Sequence, residues 1–429
     1  MKRTDDNCGR QAPVVALSLD HRESDMLPDL VKLLEHGPVV RIPHGDSYAW
    51  VVSDSALVRS VLKDVRFNKE PRHAPPWFVD ETGLIGSPQT SAAPQLITSE
   101  GHEHARLRKL LMLAFSPARI QTWSATVAVV VDELLDNLED RVGVAARNTP
   151  VDVVSGFAYP LPLTIICTLL GLPRDVHAVM RNASEDISYG GNATVRDSGR
   201  EKLYGTVAEL IDHYPDSLAD GLITDLIALT RSDPPQASLT EVKSWIPGLI
   251  LPGHESTASL LASALYELLM VRQRGEITTE SIDAVVEEIL RLHPPFPLAT
   301  WRFATSDITL SNIDIPSGAP VLVNLAAANR NPRIHQRPDH FIPQRDPINH
   351  VSFGLGAHHC IGATLARLET RTASSAFLRR FPDARLANPD APATWQSDLL
   401  GRRIVTLPVI LNSEGRRVSP RRTSSCDRN

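Results

Sequence analysis

The stretch Phe353-Gly354-Leu355-Gly356-Ala357-His358-His359-Cys360-Ile361-Gly362 sets one cysteine in a glycine-rich loop, directly before an apolar helical pattern from Ile361 to Leu368. Gly354, Gly356 and Gly362 permit sharp turns and let the backbone come close to a flat ligand. Backbone N–H groups and the start of the following helix can stabilise negative charge on the sulfur. A lone buried cysteine is more often an inert core residue. A zinc reading of His358-His359-Cys360 is weaker still, because three adjacent residues do not easily converge on one tetrahedral ion.

The spacing Phe-Gly-x-Gly-x-His-x-Cys-x-Gly decides between these readings. It resembles the haem-thiolate loop of the cytochrome P-450 superfamily. Other motifs of that family occur in the same order, so the resemblance runs from about Val39 to Leu411. A thiolate suits haem iron because it pushes electron density onto the metal and favours O–O cleavage. The resemblance implies a mainly α protein with small β-sheets, folded as a single-domain triangular helical prism with a long central helix over haem b. It makes Cys360 the iron ligand and places Phe353, Gly354 and Gly362 around the cofactor.

Length alone suggests two or three domains for 429 residues, but no linker or composition break divides the chain. The expected organisation is a flexible segment over 1–27, one catalytic domain over 28–411, and a disordered basic tail over 412–429 that is rich in arginine and serine. A net charge of −6 gives no reason to expect a nucleic-acid partner. Cys8, Cys167, Cys360 and Cys426 lie far apart and form no disulfide framework, which fits a reducing cytoplasm. The apolar runs are too short to span a bilayer and the N-terminus lacks a signal-peptide core. The expectation is a soluble cytoplasmic monomer with no membrane anchor.

Val39–Ile42 and Tyr48–Val52 read as a hairpin, and Ser53-Asp54 caps a helix to about Leu62. A long loop from Asn68 to Ser99 roofs the pocket in the resembled fold. Helices follow over Gly101–Leu138, broken at Ser116-Pro117, and over Pro162–Leu170, Asp175–Tyr189, Gly199–Tyr214 and Leu218–Leu229. Ser244–Val271 is long and apolar, as a core-crossing helix should be. Ile282–Leu292 is a further helix, stopped by Pro294-Pro295. Short strands are expected at Ile308–Leu310 and Val321–Asn324, and a last hairpin from Leu399-Leu400 and Ile404–Leu411.

Within the long helix, Leu251-Pro252-Gly253-His254-Glu255-Ser256-Thr257 breaks several helix rules together. Pro252 removes a backbone donor and Gly253 weakens the turn, while Ser256 and Thr257 can bond back to carbonyls. A local opening is expected, which elsewhere is often only a packing adjustment. Here it resembles the family's oxygen-binding groove, Ala-Gly-x-(Asp/Glu)-Thr. The resemblance assigns Glu255 as the acid and Ser256 as the alcohol of a proton relay, with dioxygen as co-substrate. Pro252 and Ser256 depart from the family pattern, and Ser256 lacks the methyl that fixes a threonine rotamer. Thr257 is a partial substitute one helical step away.

Glu288 and Arg291 stand at i and i+3 on one helix face, ordinarily a solvated pair worth little. In the resembled family the pair is buried and held by a second arginine, here Arg345. His104 and Arg108 share a helix face at i and i+4. The resemblance assigns both, with Arg302 and His358, to the haem propionates. His359 has no assigned role. The pocket is expected to be lined by Trp77, Phe78, Leu84 and Ile85 from the long loop, by Leu249 and Gly253, by Phe296, Leu298 and Ala299, and by Leu399 and Leu400. A mainly apolar lining suits a mainly apolar substrate. Arg106, Lys109 and Arg367 are candidates for attracting an acidic electron donor on the cysteine side.

The implied activity is that of a soluble haem-thiolate monooxygenase acting on a natural-product intermediate. Its electrons would come from NAD(P)H through a separate ferredoxin reductase and ferredoxin, since no stretch offers a fused iron–sulfur cluster motif. An alternative keeps the haem but couples aromatic rings or closes a bond without inserting oxygen. A third class, a haem protein that no longer turns over, is disfavoured by Glu255, its neighbouring hydroxyl and the intact cysteine loop.

Overall fold

The chain turns back on itself first at Gly45, whose φ of +53° suits a residue without a Cβ. That turn joins Val39–His44 (β1) to Ser47–Val52 (β2) as an antiparallel hairpin. The computed structural model describes residues 11–17, 24–78, 92–144, 148–275, 281–398 and 401–411. Leu27–His36 (α1) precedes the hairpin, and Asp54 starts Ser55–Val61 (α2) by accepting the Ala56 and Leu57 N–H groups. Phe67–Asn68 (β3) leads to the roof segment, and then come Gly101–Phe115 (α3) and Pro117–Val144 (α4). Val151–Asp152 (β4), a π-helical turn at Val154–Ala158, Pro160–Leu170 (α5), His177–Tyr189 (α6), Ala193–His213 (α7) and Leu222–Thr230 (α8) follow.

The core-crossing helix is Leu239–Gln273 (α9), and it packs against α5, α7 and α8. It starts five residues before the expected Ser244, because Ser238 and Glu241 form a capping box: the Glu241 N–H donates to Ser238 Oγ at 3.2 Å and the Ser238 N–H to Glu241 Oε2 at 2.7 Å. Pro247 and Pro252 both lie inside it, yet the helix runs on without a break. The expected opening is therefore confined to missing N–H groups.

Ile282–Leu292 (α10) ends before Leu298–Ala304 (β5), and Ile308–Leu310 (β6) pairs with Ile313–Ile315 (β7). Pro320–Asn324 (β8) runs into Leu325–Asn329 (α11), and Ala363–Arg380 (α12) follows the cysteine loop. The main sheet has the order β1-β2-β8-β5-β3, with β2 and β8 parallel and the other pairs antiparallel. Strand β5 escapes a simple alternation reading because its register shifts between Ala299 and Arg302.

The last hairpin differs from expectation. Trp395–Ser397 (β10) pairs with Arg402–Ile404 (β11), while Pro408–Ile410 (β12) joins β4 and Arg385–Leu386 (β9) in a separate sheet. Leu399 and Leu400 lie outside the described residues, as do 1–10 and the tail 412–429. Within the segment expected to be flexible, residues 11–17 run along β1: Arg41 N–H donates to the Pro13 carbonyl at 2.8 Å, and Val15 N–H to the Arg41 carbonyl at 2.8 Å. Asp25 pairs with buried Arg402 at 2.7 Å.

The largest apolar cluster joins α3 through α9 with α12 and includes fully buried Phe157 and Phe377. It leaves one side of α9 facing the cysteine loop across a cavity. Among the described residues, no helix is long and apolar enough to cross a membrane. The molecule is mainly helical with small sheets, in one domain.

Candidate active site

The cysteine loop turns at Gly354 and Gly356, with φ of +69° and +77°. A Cβ on Gly356 would also meet the Leu62 carbonyl oxygen at 3.1 Å, so glycine is needed there twice over. The loop closes where the Cys360 N–H donates to the Phe353 carbonyl at 2.8 Å. Cys360, Phe353, Gly354 and Gly362 line a cavity of about 440 Å³ whose opposite wall is α9. Burial pushes the Cys360 thiol up, against the N–H groups of Gly362 and Ala363 and the charges of Arg108 and Arg367. The loop alone thus favours the neutral thiol, and a cation on the sulfur is what would draw out the thiolate.

One edge of the cavity gathers basic side chains. His104 and Arg108 come from α3, Arg302 from β5, and His358 from the cysteine loop, and all four line the cavity. The structure adds Lys69 and Glu100, which the sequence reading did not single out. Lys69 is buried and donates to Thr300 Oγ1. Glu100 accepts the Lys69 N–H at 3.1 Å and His358 Nε2–H at 3.0 Å.

Burial lowers Lys69 well below the ordinary lysine range, with Arg302 adding to the effect, and takes Arg302 down to about 10. It likewise pushes His358 down to about 4 and lowers His104. His104 Nε2 is buried with no hydrogen-bond partner, while Arg108 reaches the His359 carbonyl at 2.8 Å. Lys69, Arg108 and Arg302 around one carboxylate, beside an orphaned imidazole nitrogen, are short of negative charge. A flat cofactor carrying two carboxylates at this edge and a metal above Cys360 supplies what each group lacks, and haem b is such a molecule.

Across the cavity, Glu255, Ser256 and Thr257 all contribute to the wall. Ser256 Oγ donates to the Pro252 carbonyl at 2.6 Å, which leaves its lone pairs free to accept a second hydrogen bond. Glu255 is buried, and its Oε1 accepts the Tyr159 hydroxyl at 2.6 Å. Burial pushes Glu255 up to about 7, against Tyr159, Arg403 and Tyr189, which favour the ion. His254 is fully buried with Nε2 at 3.0 Å from the Tyr159 carbonyl, so Nε2 carries the proton. Burial takes this imidazole down to about 3, so it is neutral.

Behind the cysteine loop, Arg291 Nε and NH2 hold Glu288 at 2.7 and 2.8 Å, and Arg345 Nε holds the same carboxylate at 2.8 Å. Arg291 also donates to the carbonyls of Asn329, Pro338 and His340. The Asn329 side chain in turn accepts the Val351 N–H at 2.8 Å, which ties the charged cluster to the start of the loop.

Leu249, Gly253, Phe296, Leu298 and Ala299 line the cavity, while Leu84 and Ile85 lie outside the described residues. Trp77 and Phe78 are absent from the wall. Phe78 instead stacks edge-on against Trp301 and Phe303 at 5.0 and 5.1 Å, because the main sheet offers the nearer apolar surface. The wall gains Gln95, Tyr189, Arg196, Arg200 and Tyr204, so it is more polar than expected. Arg106 is committed to Glu103 and Glu241 and lies over Trp245, rather than offering a free charge. Arg367 pairs with Glu287, and Lys109 is exposed on α3.

A family model described as cytochrome P450 matches residues 8–191 and 280–390, on either side of the groove in α9. The chain is 36% identical over 399 residues to the cytochrome P-450 monooxygenase DoxA of Streptomyces sp. (strain C5), covering 88% of this chain and 92% of that protein. It is 33% identical over 395 residues to the mycinamicin IV hydroxylase/epoxidase of Micromonospora griseorubida, covering 88% and 94%. Among solved structures, CYP154A1 from Streptomyces coelicolor A3(2) superposes with a TM-score of 0.80 at 30% identity, covering 94% of this chain and 100% of that one.

Proposed function

Given that the chain belongs to the cytochrome P450 family and is a monooxygenase, we propose that it inserts one oxygen atom from dioxygen into a C–H bond or alkene of a mainly apolar natural-product intermediate. The observation that carries this reading is the cavity itself. Cys360 stands on one wall, Ser256 on the other, and the cation cluster along one edge. When bound, thiolate-ligated haem activates dioxygen with two electrons, one oxygen going to substrate and one to water.

Cys360 is the iron ligand in this reading. Arg108, Arg302, His104, His358 and Lys69 hold the propionates, where each would gain a charge-assisted hydrogen bond. Leu249, Phe296, Leu298 and Ala299 hold the apolar body of the substrate, and Tyr189, Tyr204 and Gln95 orient its polar groups. Glu255 supplies protons and Ser256 passes them into the cavity. Electrons come from NAD(P)H through a ferredoxin reductase and a ferredoxin, and Lys109, exposed on α3, is a charge available to attract an acidic donor.

A comparative metabolite mass profile of the source organism with and without the gene tests this. The accumulating compound and the missing product should differ by one oxygen. A difference of two hydrogens, or of joined units, overturns oxygen insertion in favour of oxidative coupling. In parallel, the reduced, carbon monoxide-bound holoenzyme should show a thiolate-type spectrum that Cys360→Ala abolishes.

A further inference from the structure

Tyr159 reaches Glu255 through an irregular piece of backbone. Residues Val154–Ala158 form a π-helical turn, and the Tyr159 N–H donates five residues back to the Val154 carbonyl at 2.8 Å. Such a turn inserts one residue and re-aims the next side chain, and it recurs at functional sites. The turn is packed rather than loose: a Cβ on Gly156 would meet Leu138 Cδ1 at 2.9 Å, and Phe157 is fully buried. Its effect is to point Tyr159 at the middle of α9. The hydroxyl donates to Glu255 Oε1 at 2.6 Å, the carbonyl accepts from His254 Nε2, and the ring packs edge-on against the His254 ring at 4.4 Å. Three contacts to two adjacent residues fix this stretch of helix at the point where the family pattern departs at Pro252 and Ser256.

We propose that Tyr159 is a positioning residue for the reaction, whose hydroxyl holds the Glu255 carboxyl in place beside the cavity and keeps it able to ionise there. The inference rests on the reading of Glu255 as the proton donor. Glu255 is faced by Tyr159 from the π turn, Tyr189 from the end of α6, Arg403 from β11, Asp398 from the loop before it, and His254 from its own helix. Burial and Asp398 favour the protonated acid, whereas the two phenols and Arg403 favour the ion. A group that releases and regains a proton in each turnover must have both forms within reach near neutral pH. Burial, with Glu255 adding to it, holds the Tyr159 phenol far above the usual tyrosine range, so Tyr159 donates a hydrogen bond without giving up its proton.

The test is an infrared difference titration of the holoenzyme, with wild type, Y159F and E255Q compared. Y159F keeps the ring against His254 and removes only the donor. The Glu255 carboxyl band, identified by its loss in E255Q, should titrate higher in Y159F by about one pH unit or more. The high-pH limb of coupling, measured as product formed per NAD(P)H, should move up by the same amount, because the protonated acid then persists to higher pH. An unmoved band overturns the inference. A moved band with an unmoved coupling profile upholds the hold of Tyr159 on Glu255 and overturns the donor role of Glu255 instead.

Discussion

Ser256 Oγ donates to the carbonyl of Pro252 at 2.6 Å, one turn back along the central helix. The two residues that depart from the family's groove pattern are therefore bonded to each other. The serine hydroxyl is anchored as a donor through this bond, in place of the rotamer restriction a threonine methyl provides. Its acceptor side is left for a proton coming from the direction of Glu255.

Ser256→Ala removes that acceptor while sparing the apolar wall. Substrate affinity should stay within about tenfold, since at most one neutral hydrogen bond is lost. Hydrogen peroxide per NAD(P)H consumed should rise and product should fall. Ser256→Thr should retain coupling, because the hydroxyl survives and the methyl restricts its rotamer. Parallel peroxide and product assays check both variants, and unchanged coupling in Ser256→Ala removes Ser256 from the relay.

The buried cluster behind the loop should respond unequally to its members. Glu288 and Arg291 are both fully buried, and Arg345 is nearly so. Glu288→Ala leaves two guanidinium groups without their carboxylate, an imbalance of about 3–5 kcal/mol. Because Arg291 supports Asn329 and Asn329 supports Val351, the loss should spread to the cysteine loop. We expect Glu288→Ala to unfold at lower urea and to retain less haem. Glu288→Gln, which keeps an acceptor but loses the charge, should fall between it and wild type.

Glu287 offers a pH signature on the same helix. Burial pushes it up, but the Arg367 hydrogen bond at 2.5 Å and His350 at 3.0 Å reverse this and hold it down at about 2. A carboxylate lowered on folding stabilises the protein above its unfolded value near 4.5, and the gain disappears as pH falls through about 2. Glu287→Gln should therefore cost stability at pH 6, on the order of 1 kcal/mol after solvent screening of the partly exposed Arg367. The deficit should shrink progressively below pH 4.5. Urea midpoints for the two proteins across that range measure it.

What could be read from the residues alone was chemistry written contiguously. The cysteine loop, the Glu288–Arg291 pair and the groove at Glu255-Ser256 each carry their pattern within a few residues. Tyr159, Lys69 and Glu100 do not. Tyr159 sits just before α5, Lys69 just after β3 and Glu100 just before α3, and only the packing of these elements brings them into place. Phe78 failed as a pocket residue for a related reason: a loop aromatic settles on the nearest apolar surface, here Trp301 and Phe303. The pairing of β12 with β4 joins residues Pro408 and Asp152, a separation over which local alternation says nothing about partners.

Lys69 is the sharpest case, since nothing around it in the sequence marks a ligand, yet its ammonium is buried beside Thr300 with Arg302 close enough to disfavour its charge. A buried lysine without an adequate anion is costly and tends to lose its proton. Two propionates at this edge would reverse that balance. Lys69→Met keeps the length and apolar stem but removes the charge. The apoprotein should be as stable as wild type or slightly more so, because a costly buried polar group is gone. The holoenzyme should release haem to an acceptor such as apomyoglobin on the order of tenfold faster, the equivalent of one charge-assisted hydrogen bond. Arg302→Met should behave in the same way if both face the propionates. An unchanged release rate in Lys69→Met would assign Lys69 to the folding of the β3–β5 edge alone.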